Sequence, residues 1–157
     1  MNNTAKFFLS IAIPLAVGFT SSLFTITGTG SWYQEISKPT WNPPNWIFGP
    51  VWTTLYVLMG IALYLVWKDD RVSRIKDTAL LLFVFQLIFN FSWSYIFFDR
   101  HQIGLAFAEI LILLALIILT IISFSRVNKL AAWLLVPYVS WVSFAAILNY
   151  TIWQMNK

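Results

Sequence analysis

Residues 104–124 read GLAFAEILILLALIILTIISF, an apolar run carrying one ionisable side chain, Glu109. About 20 such residues at 1.5 Å rise each are what a helix needs to cross a hydrocarbon core roughly 30 Å thick. A soluble helix keeps a polar face, and this run has none. It reads as a membrane span, and the rest of the chain divides around it in the same way. Four further apolar stretches occupy residues 7–27, 46–67, 79–98 and 130–153, which with 104–124 makes five. The links between them are short, such as Lys68-Asp69-Asp70-Arg71 and Asp99-Arg100-His101, so sequential spans run antiparallel and pack as a bundle. The expected fold is a single all-α domain over 1–157, a five-helix transmembrane bundle with one long structured first loop at 28–45.

The bulk composition agrees. Hydrophobic residues make up 59% of the chain and charged residues 10%, too few to give five helices a solvated face. With no cysteine, disulfides and thiolate metal sites are excluded. The net charge of +4 is spread over segment ends, without a stripe of Lys and Arg among aromatics, so no nucleic-acid partner is expected. The stretch 7–27 is longer than a signal-peptide core and lacks a small-x-small cleavage site, so it is read as a retained span. Lys6, Lys68, Arg71, Arg74, Lys76, Arg126 and Lys129 fall on one side of a five-span topology. Lys38, Arg100 and Lys157 fall on the other, which predicts a cytoplasmic N-terminus and an outside C-terminus in a bacterial cell membrane. An odd span number without internal repeat argues against the paired inverted halves of many secondary transporters.

Polar groups inside spans are costly in hydrocarbon and therefore informative. The third span carries Gln86 and Asn90 four apart, with Trp93 and Phe97 on the same stripe. The second carries Trp52 and Tyr56 beside Gly49 and Thr53. The fifth carries Tyr138, Trp141, Ala145 and Asn149 after Pro137. If these stripes converge, they line a cavity with flat apolar walls and a few hydrogen-bonding groups, suited to a planar, mostly apolar ligand. The competing reading is that Gln86, Asn90 and Asn149 simply join helices by hydrogen bonds. The first loop, with Trp32, Tyr33, Trp41 and prolines 39, 43 and 44, is stiffened against helix formation. It is either an aromatic anchor at the headgroups or a lid over the bundle mouth. Pro14 is placed to kink the first span, and Glu109 to snorkel or pair with a neighbour. His101 is the lone histidine, so no His-carboxylate metal set, Ser-His-acid triad or glycine-rich phosphate loop can be assembled.

Several blocks resemble the TspO/translocator protein family, which comprises the tryptophan-rich sensory proteins and the peripheral benzodiazepine receptor. They are Trp32-Tyr33, Lys38-Pro39, Trp41 and Pro43-Pro44, then Gly49-Pro50-Val51-Trp52 with Leu55-Tyr56. Gln86-Leu87, Asn90, Trp93 and Phe97-Phe98 follow, and Pro137-Tyr138, Trp141, Phe144-Ala145 and Leu148-Asn149 close the series. The resemblance implies a homodimeric five-helix bundle whose pocket, closed by the first loop, takes porphyrins and haem such as protoporphyrin IX. It needs no other cofactor and no metal. Carried over by position, it implies ligand-binding roles for Ser22, Trp41, Trp52, Tyr56, Gln86, Asn90, Trp93, Tyr138, Trp141, Ala145 and Leu148. One departure concerns sterols. A C-terminal sterol motif would need a basic residue after at most about five residues following Tyr150, and Lys157 lies one place too far, so sterol binding is doubtful for this chain.

Three functions follow from the resemblance. The first is a membrane receptor or sensor that binds porphyrin and regulates tetrapyrrole handling. The second is an enzyme degrading porphyrin with light and oxygen, with Trp52 and Trp141 as redox partners. The third is a porphyrin or lipid transporter.

Overall fold

The computed structural model describes residues 1–71 and 73–157. Helix α1 spans Asn3–Ser22, the short α2 Trp32–Glu35, α3 Asn45–Trp67 and α4 Arg74–Ser94. A π-helical turn, Tyr95–Asp99, extends α4; α5 spans Ile103–Ser125, α6 Lys129–Leu134 and α7 Val136–Met155. Five helical rods are long and apolar enough to cross a membrane: α1, α3, α4 with its π turn, α5, and α6–α7 taken together. They close a ring in which α1 packs on α3, α3 on α6 and α7, these on α5, α5 on α4, and α4 back on α1. Outward-facing Phe8, Leu81, Ile88, Ile112 and Ile147 remain exposed, as side chains meant for lipid are.

Three boundaries differ from the sequence expectation, each for a local reason. The first span stops at Ser22 rather than 27 because its hydroxyls turn on the helix itself. Thr20, Ser22 and Thr25 donate to the carbonyls of Ala16, Phe19 and Ser21 at 2.7, 2.6 and 2.9 Å. The amides of Leu23, Phe24 and Thr25 then tighten to three-residue bonds, and the ladder ends. The third helix starts five residues before the apolar run: Ser73 caps Arg74–Ser94 by accepting from the Lys76 amide at 3.2 Å, in polar sequence that hydropathy ignores. The fifth span is broken at Leu135, because Pro137 has no N–H to give the Trp133 carbonyl four residues back.

The bundle is tightest at the end remote from the first loop. Gly60 of α3 lies so close to α1 that an added Cβ would stand 2.7 Å from the Ile11 Cα and 2.8 Å from the Ser10 carbonyl oxygen. Pro14 explains the partner: it withholds the helical donor that Ser10 would otherwise receive, leaving that carbonyl free to meet the Gly60 backbone. Around this contact Met59, Ala62, Val66 and Ile117 are fully buried, and Phe83 stacks on Phe124 with ring centres 5.7 Å apart.

Candidate functional site

At the opposite end the rods diverge and enclose a cavity of about 470 Å³, within the size range of small-molecule pockets. Helix α1 contributes Leu15, Phe19, Ser22 and neighbours; α3 contributes Phe48, Gly49, Trp52, Thr53 and Tyr56. Asn90, Trp93 and Phe97 come from α4 and its π turn, Ile110 and Leu113 from α5, and Trp141, Ala145, Leu148 and Asn149 from α7. The walls are mostly aromatic. Trp52 stacks on Tyr56 at 5.5 Å, while Trp141 is propped edge-on by Phe48 at 6.1 Å. Gly18 is needed beside the cavity, because a Cβ there would fall 2.4 Å from the Tyr56 ring.

A relay of hydrogen bonds runs from the floor into the closed half. The Tyr56 hydroxyl donates to Asn90 Oδ1 at 2.5 Å, Asn90 Nδ2 to the Tyr138 hydroxyl at 3.0 Å, and that hydroxyl to Gln86 Oε1 at 2.6 Å. One chain of bonds thereby fixes α3, α4 and α7 relative to one another. Higher up, Trp93 Nε1 donates to Asn149 Oδ1 at 3.0 Å, and Asn149 Nδ2 to the Ile103 carbonyl at 3.0 Å. Both proposed uses of the intramembrane amides thus occur in the same residues: Asn90 and Asn149 line the cavity and also join helices.

The first loop is folded over the cavity. Buried Tyr33 lines it and donates its hydroxyl to Asn42 Oδ1 at 3.1 Å, and burial raises the phenol above its ordinary pKa. Lys38 Nζ donates to the Tyr33 and Ile36 carbonyls, and burial holds its pKa below the usual lysine value. Trp32 stacks flat on His101 at 4.2 Å, and His101 adopts φ 56°. A non-glycine residue seldom takes that conformation unless contacts hold it. Asn156 clamps the loop to the end of α7, accepting from the Ser37 amide at 2.9 Å and donating to the Ser37 carbonyl at 2.8 Å.

Of the eleven residues singled out from sequence, eight line the cavity: Ser22, Trp52, Tyr56, Asn90, Trp93, Trp141, Ala145 and Leu148. Three do not. Gln86 and Tyr138 are each about 1% exposed and lie below the floor, because the stripe they share with Asn90 and Trp141 continues into the closed half. Trp41 is half exposed on the outside, packed edge-on against Phe144 at 5.9 Å. The sequence reading missed the α1 wall apart from Ser22, and also Phe48 and Phe144. Only Ser22, carried over by position, hinted at α1. Glu109 pairs within the bundle: Ser92 donates to its Oε1 at 2.7 Å.

A five-rod helical bundle with an aromatic cavity under a stapled first loop defines a class of helical membrane protein. The family comparison agrees: the TspO/MBR family pattern matches residues 10–154. Tryptophan-rich protein TspO of Chlorobaculum tepidum is 44% identical over 152 residues, covering 94% of either chain. TspO of Archaeoglobus fulgidus is 41% identical over 156 residues, 98% of this chain and 99% of its own. The translocator protein of Ovis aries is 40% identical over 147 residues, 92% of this chain and 86% of its own. The chain belongs to the TspO/MBR family.

Proposed function

We propose that the protein is a membrane receptor that holds a planar, largely apolar tetrapyrrole such as protoporphyrin IX or haem in the cavity beneath the first loop. The observation that carries this is the pairing of Trp52 and Trp141 with Asn90 around one cavity inside the membrane-spanning bundle. Flat aromatic walls favour a flat conjugated ring, and a few fixed polar groups orient it. The loop, held by Asn156 and by the Trp32–His101 stack, retains what has entered. The basic residues of the two links facing away from the loop favour a cytoplasmic closed end.

A second reading has one observation in its favour. Trp52 and Trp141, the oxidisable side chains an enzymatic degradation would use, both border the cavity. One titration separates the two. Detergent-solubilised protein is titrated with protoporphyrin IX while tryptophan fluorescence and the porphyrin spectrum are followed, first in darkness and then under light in air. Saturable quenching is expected, with Trp141→Ala weakening it by about 2 kcal/mol, roughly thirtyfold in Kd. An intact porphyrin band under light keeps the receptor reading, whereas its loss in the wild type but not in Trp52→Phe favours the enzyme. No saturable quenching would overturn both.

A further inference from the structure

The break at Leu135 leaves a mark on the outside of the bundle, away from the cavity. Where α6 hands over to α7, a groove of about 360 Å³ opens between this rod and α5. Its lining is Ile121, Ser125, Lys129, Ala132, Trp133 and Val136. Ala132 is buried, whereas Trp133 stands 71% exposed beside it. The floor is therefore small and apolar along the rod axis, with an amphipathic indole on one flank. The cationic groups cluster at one end only: Lys129 lines the groove, and Arg126, also exposed, directly follows the lining residue Ser125.

We infer that this groove is a binding site for a single anionic phospholipid, its acyl chain along Ile121, Ala132 and Val136 and its headgroup phosphate on Lys129 and Arg126. Charge complementarity selects this occupant. The groove's apolar part runs toward the bilayer centre and its basic end toward the headgroups, the polarity of a lipid. The same end of the bundle also carries Lys6, Lys68, Arg71, Arg74 and Lys76 against Asp69, Asp70 and Asp77, an excess of positive charge. Of those acids, Asp69 is paired with Arg71 at 2.7 Å, and no salt bridge among the described residues takes up Lys129 or Arg126. Trp133, exposed on the groove's flank, is placed to cap the lipid at the glycerol level, where indoles favour the interface. Near a membrane surface each basic side chain contributes about 1 kcal/mol towards anionic lipid, or about fivefold in partition.

The full chain is reconstituted in phosphatidylcholine vesicles doped either with dibrominated phosphatidylglycerol or with dibrominated phosphatidylcholine, and tryptophan quenching is compared. The brominated anionic lipid is expected to quench more strongly than the neutral one, and Trp133→Phe to abolish that excess. Lys129→Ala should lower the preference about fivefold without altering protoporphyrin quenching in detergent. Equal quenching by the two lipids would overturn the assignment, as would an excess that survives Trp133→Phe. Quenching of Trp133 by both lipids that rises on dilution in the membrane would assign the groove to a second copy of the chain instead.

Discussion

The two ends of this bundle are made from the same kinds of helix and behave as opposites. At the closed end, glycine and alanine let backbones touch: Gly60 meets Ser10 and Ile11, and Ala62 is fully buried. At the loop end, tryptophan and phenylalanine keep backbones apart, and about 470 Å³ is left between them. The relay from Tyr56 through Asn90 and Tyr138 to Gln86 lies at the border and belongs to both. In a bilayer the hydrophobic effect does not separate inside from outside, so close packing and interhelical hydrogen bonds must hold the rods. Close contact at one end and the relay at the border hold the rods while the other end stays open. The cavity is thus bounded by the closed end beneath it and by the aromatic side chains around it.

The largest effect is expected from breaking the closed end. Gly60→Leu drives a side chain into the α1 backbone, where neither partner can turn aside. Overpacking of this kind destabilises by about 1–3 kcal/mol or more, and a lowered thermal midpoint of the detergent-solubilised protein would register it. A midpoint unchanged from wild type would mean that the two helices are not in contact there.

The border residues sharpen the comparison. Asn90→Leu removes the Tyr56 acceptor and the donor to Tyr138, at about 0.6 to 1.7 kcal/mol for each interhelical bond. It should weaken both stability and protoporphyrin binding. Gln86→Leu, one turn lower and off the cavity wall, removes one bond. A loss of stability within about 1 kcal/mol with unchanged Kd is expected, and a Kd change comparable to that of Asn90→Leu would erase the border.

The loops at the two ends differ in a smaller way. Asn156→Ala unfastens the lid from α7, and a severalfold faster release of protoporphyrin in stopped flow is expected with little change in melting. At the other end the Arg71 guanidinium holds the Asp69 carboxyl at a pKa of about 2, below its ordinary value. A carboxyl depressed in the folded state adds stability above its unfolded pKa of about 3.9 and loses it as pH falls towards the folded value. Because this pair is exposed, Asp69→Asn should shift the melting temperature only slightly at pH 7, and the difference should vanish near pH 2.

The span count and most of the cavity lining were legible because spacing and composition encode them. Asn90 and Trp93 had to share a face of α4 wherever the helix lay, and both reach the cavity. What spacing cannot encode is depth along the bundle axis. Gln86 and Tyr138 lie on the right stripes at the wrong height, below the floor. Hydropathy was equally blind to the hydroxyl back-bonds that end α1 at Ser22 and to the π turn after Ser94, since both are events of hydrogen bonding. The α1 wall escaped because its residues, Leu15, Gly18 and Phe19, look like any lipid-facing span until a neighbour diverges from it.

The central claim, that the loop end is the ligand's seat and the rest of the surface is not, has a direct test because the chain contains no cysteine. Single-cysteine variants Ala145→Cys, on the cavity wall, and Trp133→Cys, on the outer groove, are labelled with a thiol-reactive maleimide with and without saturating protoporphyrin IX. Slowed labelling at 145 with unchanged labelling at 133 is the predicted result. Equal protection at both positions, or none at 145, would contradict it.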